Sequence, residues 1–189
     1  MSPDFRRCTP GDIPRAACTL AAAFADYSWT RWTVPAEDHL RRLEELQAIY
    51  LAHAVDHGVV LVDAEVTAVI ALVPPDAPEL SAEAMERVVA LHGDRLEALG
   101  AVSTPTAPEG SWELATLGVD PGRRGQGLGS AITTAGLRLV DELAAGAPIA
   151  LETSDERNVR LYEGLGFVVT GTTVIEHGPT VFSMLQDAR

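Results

Sequence analysis

A glycine-rich turn between a predicted strand and a predicted helix is the segment best suited to bind an anion. Gly125, Gly127 and Gly129 alternate with other residues near the end of residues 120–130. Glycine lets the backbone adopt positive φ and approach a ligand closely. The free amides and the dipole at the start of the helix favour negative charge. Because two adjacent arginines precede these glycines, the turn predicts a diphosphate site.

The composition of this turn excludes two common classes of nucleotide-binding loop. One residue separates Gly127 from Gly129, whereas the Rossmann fingerprint has two residues before its last glycine. All 14 basic residues are arginines, so the lysine of a Walker loop and the lysine of a pyridoxal-phosphate Schiff base are absent. Nicotinamide, flavin and Walker-type nucleotide sites are therefore not predicted.

Asn158 and Tyr162 form a second pair with chemical potential. They are four residues apart on a predicted short helix, so they share one helical face. A tyrosine hydroxyl can donate a proton, and an asparagine amide can hydrogen-bond a polar ligand. From the residues alone, a tyrosine packed in the core is the favoured interpretation.

Both segments resemble motifs of one acetyltransferase superfamily. Residues 117–130 resemble motif A of the GCN5-related N-acetyltransferases (GNAT), whose signature is Arg/Gln-x-x-Gly-x-Gly/Ala. Arg124, Gly127 and Gly129 occupy its fixed positions. Residues 151–167 resemble motif B of the same superfamily. This resemblance implies the GNAT fold and acetyl-CoA as cosubstrate.

The resemblance also implies which residues surround acetyl-CoA. Cofactor contacts are expected for Leu117, Val119, Arg124, Gly125, Gln126, Gly127, Leu128, Gly129, Ser130 and Asn158. The backbones of Leu117 and Val119 would bind the pantetheine arm where neighbouring strands splay, and the Val119 amide would stabilise the oxyanion. Tyr162 would protonate the leaving thiolate.

Glu113 is the candidate general base. Alternation along the predicted strand 112–119 places it on the same face as Leu117 and Val119. Its position four residues before Leu117 resembles that of the general base in histone-type members. A base elsewhere that acts through water, or a glutamate that merely faces solvent, remains an alternative.

The acceptor is expected to be a primary amine of a small molecule. Residues 13–16, 19–27, 114–116 and 151–154 are similar to the puromycin N-acetyltransferases, which implies an aminonucleoside antibiotic. The expected acceptor contacts are Asp26, Tyr27, Trp29 and Trp32, since aromatic rings beside a carboxylate suit a cationic aromatic amine. Residues 28–32 depart from those enzymes, so a peptide or protein N-terminus, or a CoA-binding regulatory module without turnover, remains open.

The hydrophobic pattern predicts a mixed α/β sheet protein. Strands are expected at 5–8, 59–62, 66–73, 112–119, 149–152, 167–174 and 179–185, and helices start near Asp12, after Pro35, at 81, at 127 and at the capping box Thr153-x-x-Glu156. The strand–helix–strand order after residue 112 indicates a central parallel pair in a six- to seven-stranded, mostly antiparallel sheet with flanking helices. Residues 1–189 are expected to form a single GNAT domain, with an extra helix at about 81–99 between the third and fourth strands.

Composition narrows the partners. The length of 189 residues favours one domain, and the net charge of −13 argues against nucleic acid. No apolar run approaches the roughly 20 residues needed to span a membrane. Cys8 and Cys18 are too few for a disulfide framework, so we expect buried reduced thiols in a cytoplasmic protein. His53 and His57 lack a third ligand in the sequence, so no metal is predicted; monomer and homodimer are both open.

Overall fold

The protein folds around one seven-stranded sheet. A computed structural model describes residues 4–187. In that range the strands β1–β7 are Phe5–Arg7, Val59–Asp63, Ala68–Val73, Trp112–Val119, Ile149–Thr153, Val168–Val174 and Thr180–Gln186. The helices α1–α7 are Ile13–Phe24, Ser28–Thr33, His39–His57, Ala82–His92, Leu96–Gly100, Leu128–Leu143 and Glu156–Glu163.

The order of the strands confirms the predicted mixed sheet. The sheet runs β1-β2-β3-β4-β5-β7-β6, and its neighbours are antiparallel except for the parallel pair β4–β5. Helix α6 carries the chain from the end of β4 back to the start of β5, as a parallel pair requires.

Both faces of the central strands are buried. One face packs against α6 and α7, with Leu72 and Ile132 fully buried. The other face packs against α1 and α3, with Leu20 and Val69 fully buried. Because helices cover both sides, β2 and β3 are nearly continuous apolar runs rather than alternating ones.

A glycine in β4 allows α1 to lie directly against the sheet. A Cβ at Gly118 would be 2.6 Å from Leu20 Cδ2 and 3.2 Å from Ala23 Cβ, closer than carbon atoms can approach without displacement. The close contact fixes where α1 ends, and it therefore fixes where the α1–α2 connection crosses the sheet.

A β-bulge interrupts the middle of β4. Ala71 pairs with Thr116 and Leu72 pairs with Leu114, so Ala115 is the extra residue. An extra residue reverses the side on which later side chains emerge. Even-numbered residues before the bulge and odd-numbered residues after it therefore face the same side of the sheet.

The bulge corrects the face predicted for Glu113. Trp112 and Leu114 before it, and Leu117 and Val119 after it, all pack into the core beneath α6. Glu113 lies between two of these residues and points to the opposite face, toward α1. The prediction that Glu113 shares a face with Leu117 and Val119 is wrong, because strict alternation does not continue through a bulge.

Two predicted helical segments also differ in detail. The helix expected at 81–99 is interrupted, because Gly93 ends α4 with φ +53° and α5 begins at Leu96. Residues 28–33, for which no helix is predicted, form α2, and the Thr30 hydroxyl near its start donates to the Phe24 carbonyl at 2.5 Å.

The cap of α7 is another correction. Thr153 belongs to β5, and the Asp155 side chain accepts from the Arg157 amide at 2.8 Å. The predicted capping box at Thr153 is therefore wrong, because Thr153 is held in the strand and Asp155 caps α7 instead.

The two cysteines occupy different environments. Both are free; Cys8 is buried, and Cys18 is exposed, contrary to the expectation that both are buried. Burial raises the pKa of Cys8 to about 11, and the Asp12 carboxylate contributes in the same direction. Among residues 4–187, none of the helices has the length and apolar content to cross a membrane.

Asp63 fixes the β2–β3 turn. Its carboxylate is buried and accepts from the Thr67 amide at 2.6 Å, the Ala68 amide at 2.8 Å and the Thr67 hydroxyl at 2.7 Å. Burial raises the pKa of Asp63, but these hydrogen bonds outweigh burial and hold it below the usual value. This turn sets the register of β3 against β2, and β4 pairs in turn with β3.

We predict that Asp63→Ala lowers the free energy of unfolding by about 2–4 kcal/mol, because three donors lose their acceptor. Asp63→Asn is the matched control, since its amide can keep these bonds. In the native protein the carboxylate's contribution is present above the unfolded pKa of about 4 and is lost as pH falls through the lower folded pKa. Chemical denaturation at several pH values measures both effects; an unchanged Asp63→Ala stability would contradict this role.

Candidate active site

The parallel strands β4 and β5 pair only at their amino ends. Trp112 is registered with Ile149, and Glu113 with Ala150. Beyond these pairs the strands diverge, each continuing along its antiparallel neighbour. A cleft of about 1270 Å³ opens at the divergence and extends beneath α1, α2 and α3.

The diverging edge of β4 exposes backbone amides. The Asp120 amide donates to the Thr67 carbonyl at 2.8 Å, on the β3 side. Since successive amides of a strand point to opposite edges, those of Val119 and Leu117 face the gap. No residue of β5 is registered with either of them. An extended ligand with amide groups can pair with this edge as an added strand would.

The glycine-rich turn presents a row of amides at the start of α6. Within residues 4–187, the amides of residues 126–130 have no hydrogen-bond acceptor. Gly125 and Gly127 have φ of +74° and +76°, and Gly127 caps α6 without any side-chain hydrogen bond. Positive φ at these positions turns successive amides toward one point, which forms an anion-binding concavity.

The two arginines of the turn have protein partners. Arg123 Nη1 lies 2.9 Å from Glu65 Oε2, and Arg124 Nη2 donates to the Ala23 carbonyl at 2.8 Å. Arg124 therefore ties the turn to α1, and each guanidinium retains further N–H donors. The unpartnered backbone amides are therefore the groups best placed to donate to an anion, while the guanidinium of Arg123 is already ion-paired.

Tyr162 is held rigidly at the cleft wall. Its side chain is 5% exposed, packs edge-on against Phe167 with ring centroids 5.6 Å apart, and lines the cleft. No group in the described part of the chain hydrogen-bonds its hydroxyl. Burial raises the pKa of Tyr162 well above its usual value, and Tyr27 raises it further, so the hydroxyl keeps its proton.

A hydrogen-bond chain connects the two sides of the cleft. Asn158 Nδ2 donates to Thr153 Oγ1 at 3.2 Å, and Thr153 Oγ1 lies 2.9 Å from the Tyr27 hydroxyl. The Ser154 amide donates to that hydroxyl at 2.6 Å, and Ser28 Oγ lies 3.0 Å from Ser154 Oγ. The α1–α2 connection is thus fastened to the carboxyl end of β5 and to α7.

Glu113 and Glu152 are neighbouring carboxylates in the cleft. Glu152 lies two positions beyond Ala150, the register partner of Glu113, and alternation places it on the same face. The Ser183 hydroxyl lies 3.4 Å from Glu152 Oε1. Desolvation by the surrounding protein raises the pKa of Glu113 above its usual value although its side chain is exposed in the cleft, and the Glu152 carboxylate adds to the rise.

The expected acceptor residues divide into two groups. Tyr27 and Trp29 line the cleft. Asp26 forms an ion pair with Arg31 at 3.0 Å, with its side chain 92% exposed. Trp32 packs against Trp29 with ring centroids 5.7 Å apart and borders a separate, shallow depression. Asp26 and Trp32 are therefore not brought into the cleft.

Three cleft residues escaped the sequence analysis. Glu152 lies within residues 151–154, whose motif likeness could have marked it. Tyr50 and Glu79 also line the cleft. In the sequence, Tyr50 is one position of a predicted helix and Glu79 is part of a proline-rich loop. No local pattern in the sequence distinguishes either.

His53 and His57 lie side by side on α3. The rings of His53 and His57 are 4.8 Å apart, and only His53 lines the cleft. Within the part of the chain that the structure describes, no group of three or more potential ligands converges on a metal position.

Comparison with known proteins adds independent findings. A family model described as an acetyltransferase (GNAT) domain matches residues 52–187. The mycothiol acetyltransferase of Nocardiopsis dassonvillei is 41% identical over 95 residues, which are 49% of this chain and 28% of that protein. The chain therefore spans less than a third of the length of this curated relative.

Solved structures share the fold over the whole chain. The histone acetyltransferase HPA2 and related acetyltransferase from Corynebacterium glutamicum has a TM-score of 0.77 and 24% identity, covering 100% of this chain and 98% of its own. An agmatine N-acetyltransferase in its apo form has a TM-score of 0.69 and 20% identity, covering 99% and 100%.

The diverging parallel strands, the amide-rich turn before α6 and the family model over most of the chain lead to the same assignment. The puromycin-like acceptor finds no support in these comparisons, whereas the superfamily does. The chain belongs to the acetyltransferase (GNAT) domain family.

Proposed function

We propose that this protein transfers the acetyl group of acetyl-CoA to a primary amine of a small molecule. The observation that carries the proposal is the meeting of three features where β4 and β5 diverge. These are the unpaired amides of Leu117 and Val119, the unpartnered hydroxyl of Tyr162 and the carboxylates of Glu113 and Glu152. Amine acetylation needs an oxyanion donor, an acid and a base.

The donor would be held by backbone groups. The amides of residues 126–130 and the positive end of the α6 dipole would hold the diphosphate, each charge-assisted hydrogen bond contributing roughly 1.5–3 kcal/mol. The open edge of β4 at Leu117 and Val119 would pair with the pantetheine amides. Asn158, anchored through Thr153, would hydrogen-bond the same arm.

The residues then act in sequence on the bound reactants. Glu113 takes a proton from the ammonium group, through water because it lies four strand positions from Leu117. The amine nitrogen bonds to the thioester carbon and releases its second proton to water, while the Val119 amide stabilises the developing oxyanion. As the carbon–sulfur bond breaks, Tyr162 gives its proton to the sulfur, and solvent reprotonates the tyrosinate. Transfer is direct, since neither Cys8 nor Cys18 lines the cleft.

A screen of amines is the first experiment needed to identify the acceptor. The aminonucleoside expected from the sequence rests on the resemblance alone, while the similar proteins include a mycothiol acetyltransferase and an agmatine N-acetyltransferase. Purified protein with acetyl-CoA would be incubated with puromycin, agmatine and simple alkylamines, with release of free CoA and the acceptor mass as readouts. No release with any amine, together with no binding of acetyl-CoA, would refute the proposed function.

We predict that Tyr162→Phe lowers turnover by about 10²–10⁴-fold, because the thiolate loses its positioned acid. Acetyl-CoA affinity should be unchanged, since the hydroxyl acts only as the bond breaks. Tyr50→Phe is the matched control, because it removes another hydroxyl from the same cleft. Steady-state rates and calorimetric affinities test this; a Tyr162→Phe enzyme with native rates across the pH range would exclude the role.

We predict that Gly127→Val abolishes acetyl-CoA binding without unfolding the protein. A β-branched residue does not tolerate φ near +76°, so the amides at the start of α6 would turn away from the diphosphate. Gly110→Val is the matched control, because Gly110 has φ +81° and equally open surroundings but lies outside the turn. Calorimetry and circular dichroism provide the readouts; equal affinity in both variants would locate the diphosphate elsewhere.

We predict that the acidic limb of the kcat/KM profile reports the carboxylate of Glu113. Its raised pKa means that the active, deprotonated form is lost as pH falls through a value above the usual 4.3 or so. Glu152→Gln should move this limb to lower pH, because it removes the neighbouring negative charge. Glu113→Gln should abolish the limb; a profile identical to that of the native enzyme would assign the base elsewhere.

A further inference from the structure

The charged side chains that line the cleft all have the same sign. They are Glu79, Glu113 and Glu152. None of the arginines of residues 4–187 lines the cleft, and the chain contains no lysine at all. Glu79 lies on the proline-rich segment after β3, while the other two project from β4 and β5. The cleft therefore carries up to three negative charges, and His53 is the one basic side chain in its described lining.

Two further observations indicate that a ligand completes this cleft. The Tyr162 side chain is only 5% exposed, yet its hydroxyl reaches the cleft with no hydrogen-bond partner in the described chain, so it is free to bond a ligand there. Tyr27, Trp29 and Tyr50 line the same space. Aromatic faces attract cations, so the rings and the carboxylates favour the same kind of ligand.

The charge balance sets a condition on that ligand. Binding removes water from the carboxylates, and an isolated charge transferred away from water is unfavourable. The reacting ammonium offsets one negative charge, and the others remain uncompensated. A second cation on the acceptor would offset them, whereas an anionic group on the acceptor would add like-charge repulsion.

We propose that the acceptor carries a second cationic nitrogen beyond the reacting amine and no anionic group. This rests on the proposed function and narrows its substrate class to diamines and related polycations. One nitrogen is acetylated beside Tyr162, and the distal cation is bound by the remaining carboxylates and the aromatic wall. An aminonucleoside with a single amino group would satisfy only the first of these requirements.

Three acceptors of equal length test the charge condition. Hexylamine, 1,6-diaminohexane and 6-aminohexanoate differ only in the distal group, which is neutral, cationic or anionic. Their binding to the CoA-saturated protein is measured by calorimetry, and their kcat/KM values by release of CoA. We expect the diamine to bind about fivefold or more tightly than hexylamine, with 6-aminohexanoate weaker still. The preference should shrink at high salt, because the charges are partly exposed.

Glu79→Gln isolates the distal site, because Glu79 lies outside the proposed catalytic machinery. It should reduce the preference for the diamine while leaving the rate with hexylamine unchanged. Asp76→Asn is the matched control; Asp76 is on the same segment, is exposed and does not line the cleft. Glu152→Gln should also reduce the diamine preference, with an additional change in the pH profile.

The outcomes separate this inference from the proposed function. Equal binding of the diamine and hexylamine, or a tighter fit for 6-aminohexanoate, would overturn the charge condition. An aminonucleoside that is acetylated far faster than any diamine would also overturn the charge condition, but it would support the proposed acetyltransferase function. If the protein failed to bind CoA, the proposed function would fail, and amine binding to the free protein would still decide the charge condition.

Discussion

Unpaired backbone amides inside a sheet are the constraint around which this structure is organised. A strand in the middle of a sheet normally satisfies both of its edges, but β4 is paired along its whole length only with β3. Its contact with β5 ends after two residue pairs. The amides at Leu117 and Val119 are left to face a gap, and a ligand with an extended, amide-bearing arm can satisfy them.

The remaining elements keep that gap open. They also place different side chains on its two sides. Gly118 lets α1 press against β4, and the hydrogen bonds of Tyr27 and Ser28 fasten the α1–α2 connection to the end of β5. The bulge at Ala115 directs Glu113 to the α1 side and leaves Leu117 and Val119 beneath α6. A nucleotide thioester would approach on the α6 side, and an amine would meet it from the acidic side.

The sequence was sufficient to predict the elements that have a strong hydrophobic period and are bounded by glycine or proline. The β4 strand at Trp112–Val119, the glycine turn and the parallel pair follow from apolar runs and from the glycines and prolines that separate them. The bulge could not be foreseen, because it depends on how β3 and β4 fit together and not on the residue types in β4. The end of α4 at Gly93 was missed for a similar reason, since glycine within a helical pattern is often tolerated.

The site residues also divide into those that local sequence identifies and those that only long-range packing brings to the cleft. Asn158 and Tyr162 were identifiable because their spacing and motif likeness are local, and the structure places both at the cleft. Glu79 and Tyr50 enter the cleft through long-range packing of a loop and of α3, which no short pattern records. Asp26 was a reasonable choice from its neighbourhood, yet Arg31 competes for it at 3.0 Å.

The lining of the cleft has a consequence for chemical fidelity. A protein that holds an activated acyl donor risks modifying itself wherever it presents a nucleophilic amine or thiol. Among the described residues around this cleft there is neither lysine nor cysteine, and the thiol of Cys8 is both remote from the cleft and held protonated at neutral pH by its pKa of about 11. Among the described residues the incoming acceptor would thus be the one amine offered to the thioester, and self-acylation is disfavoured both by the absence of lysine and by the position of the cysteines outside the cleft.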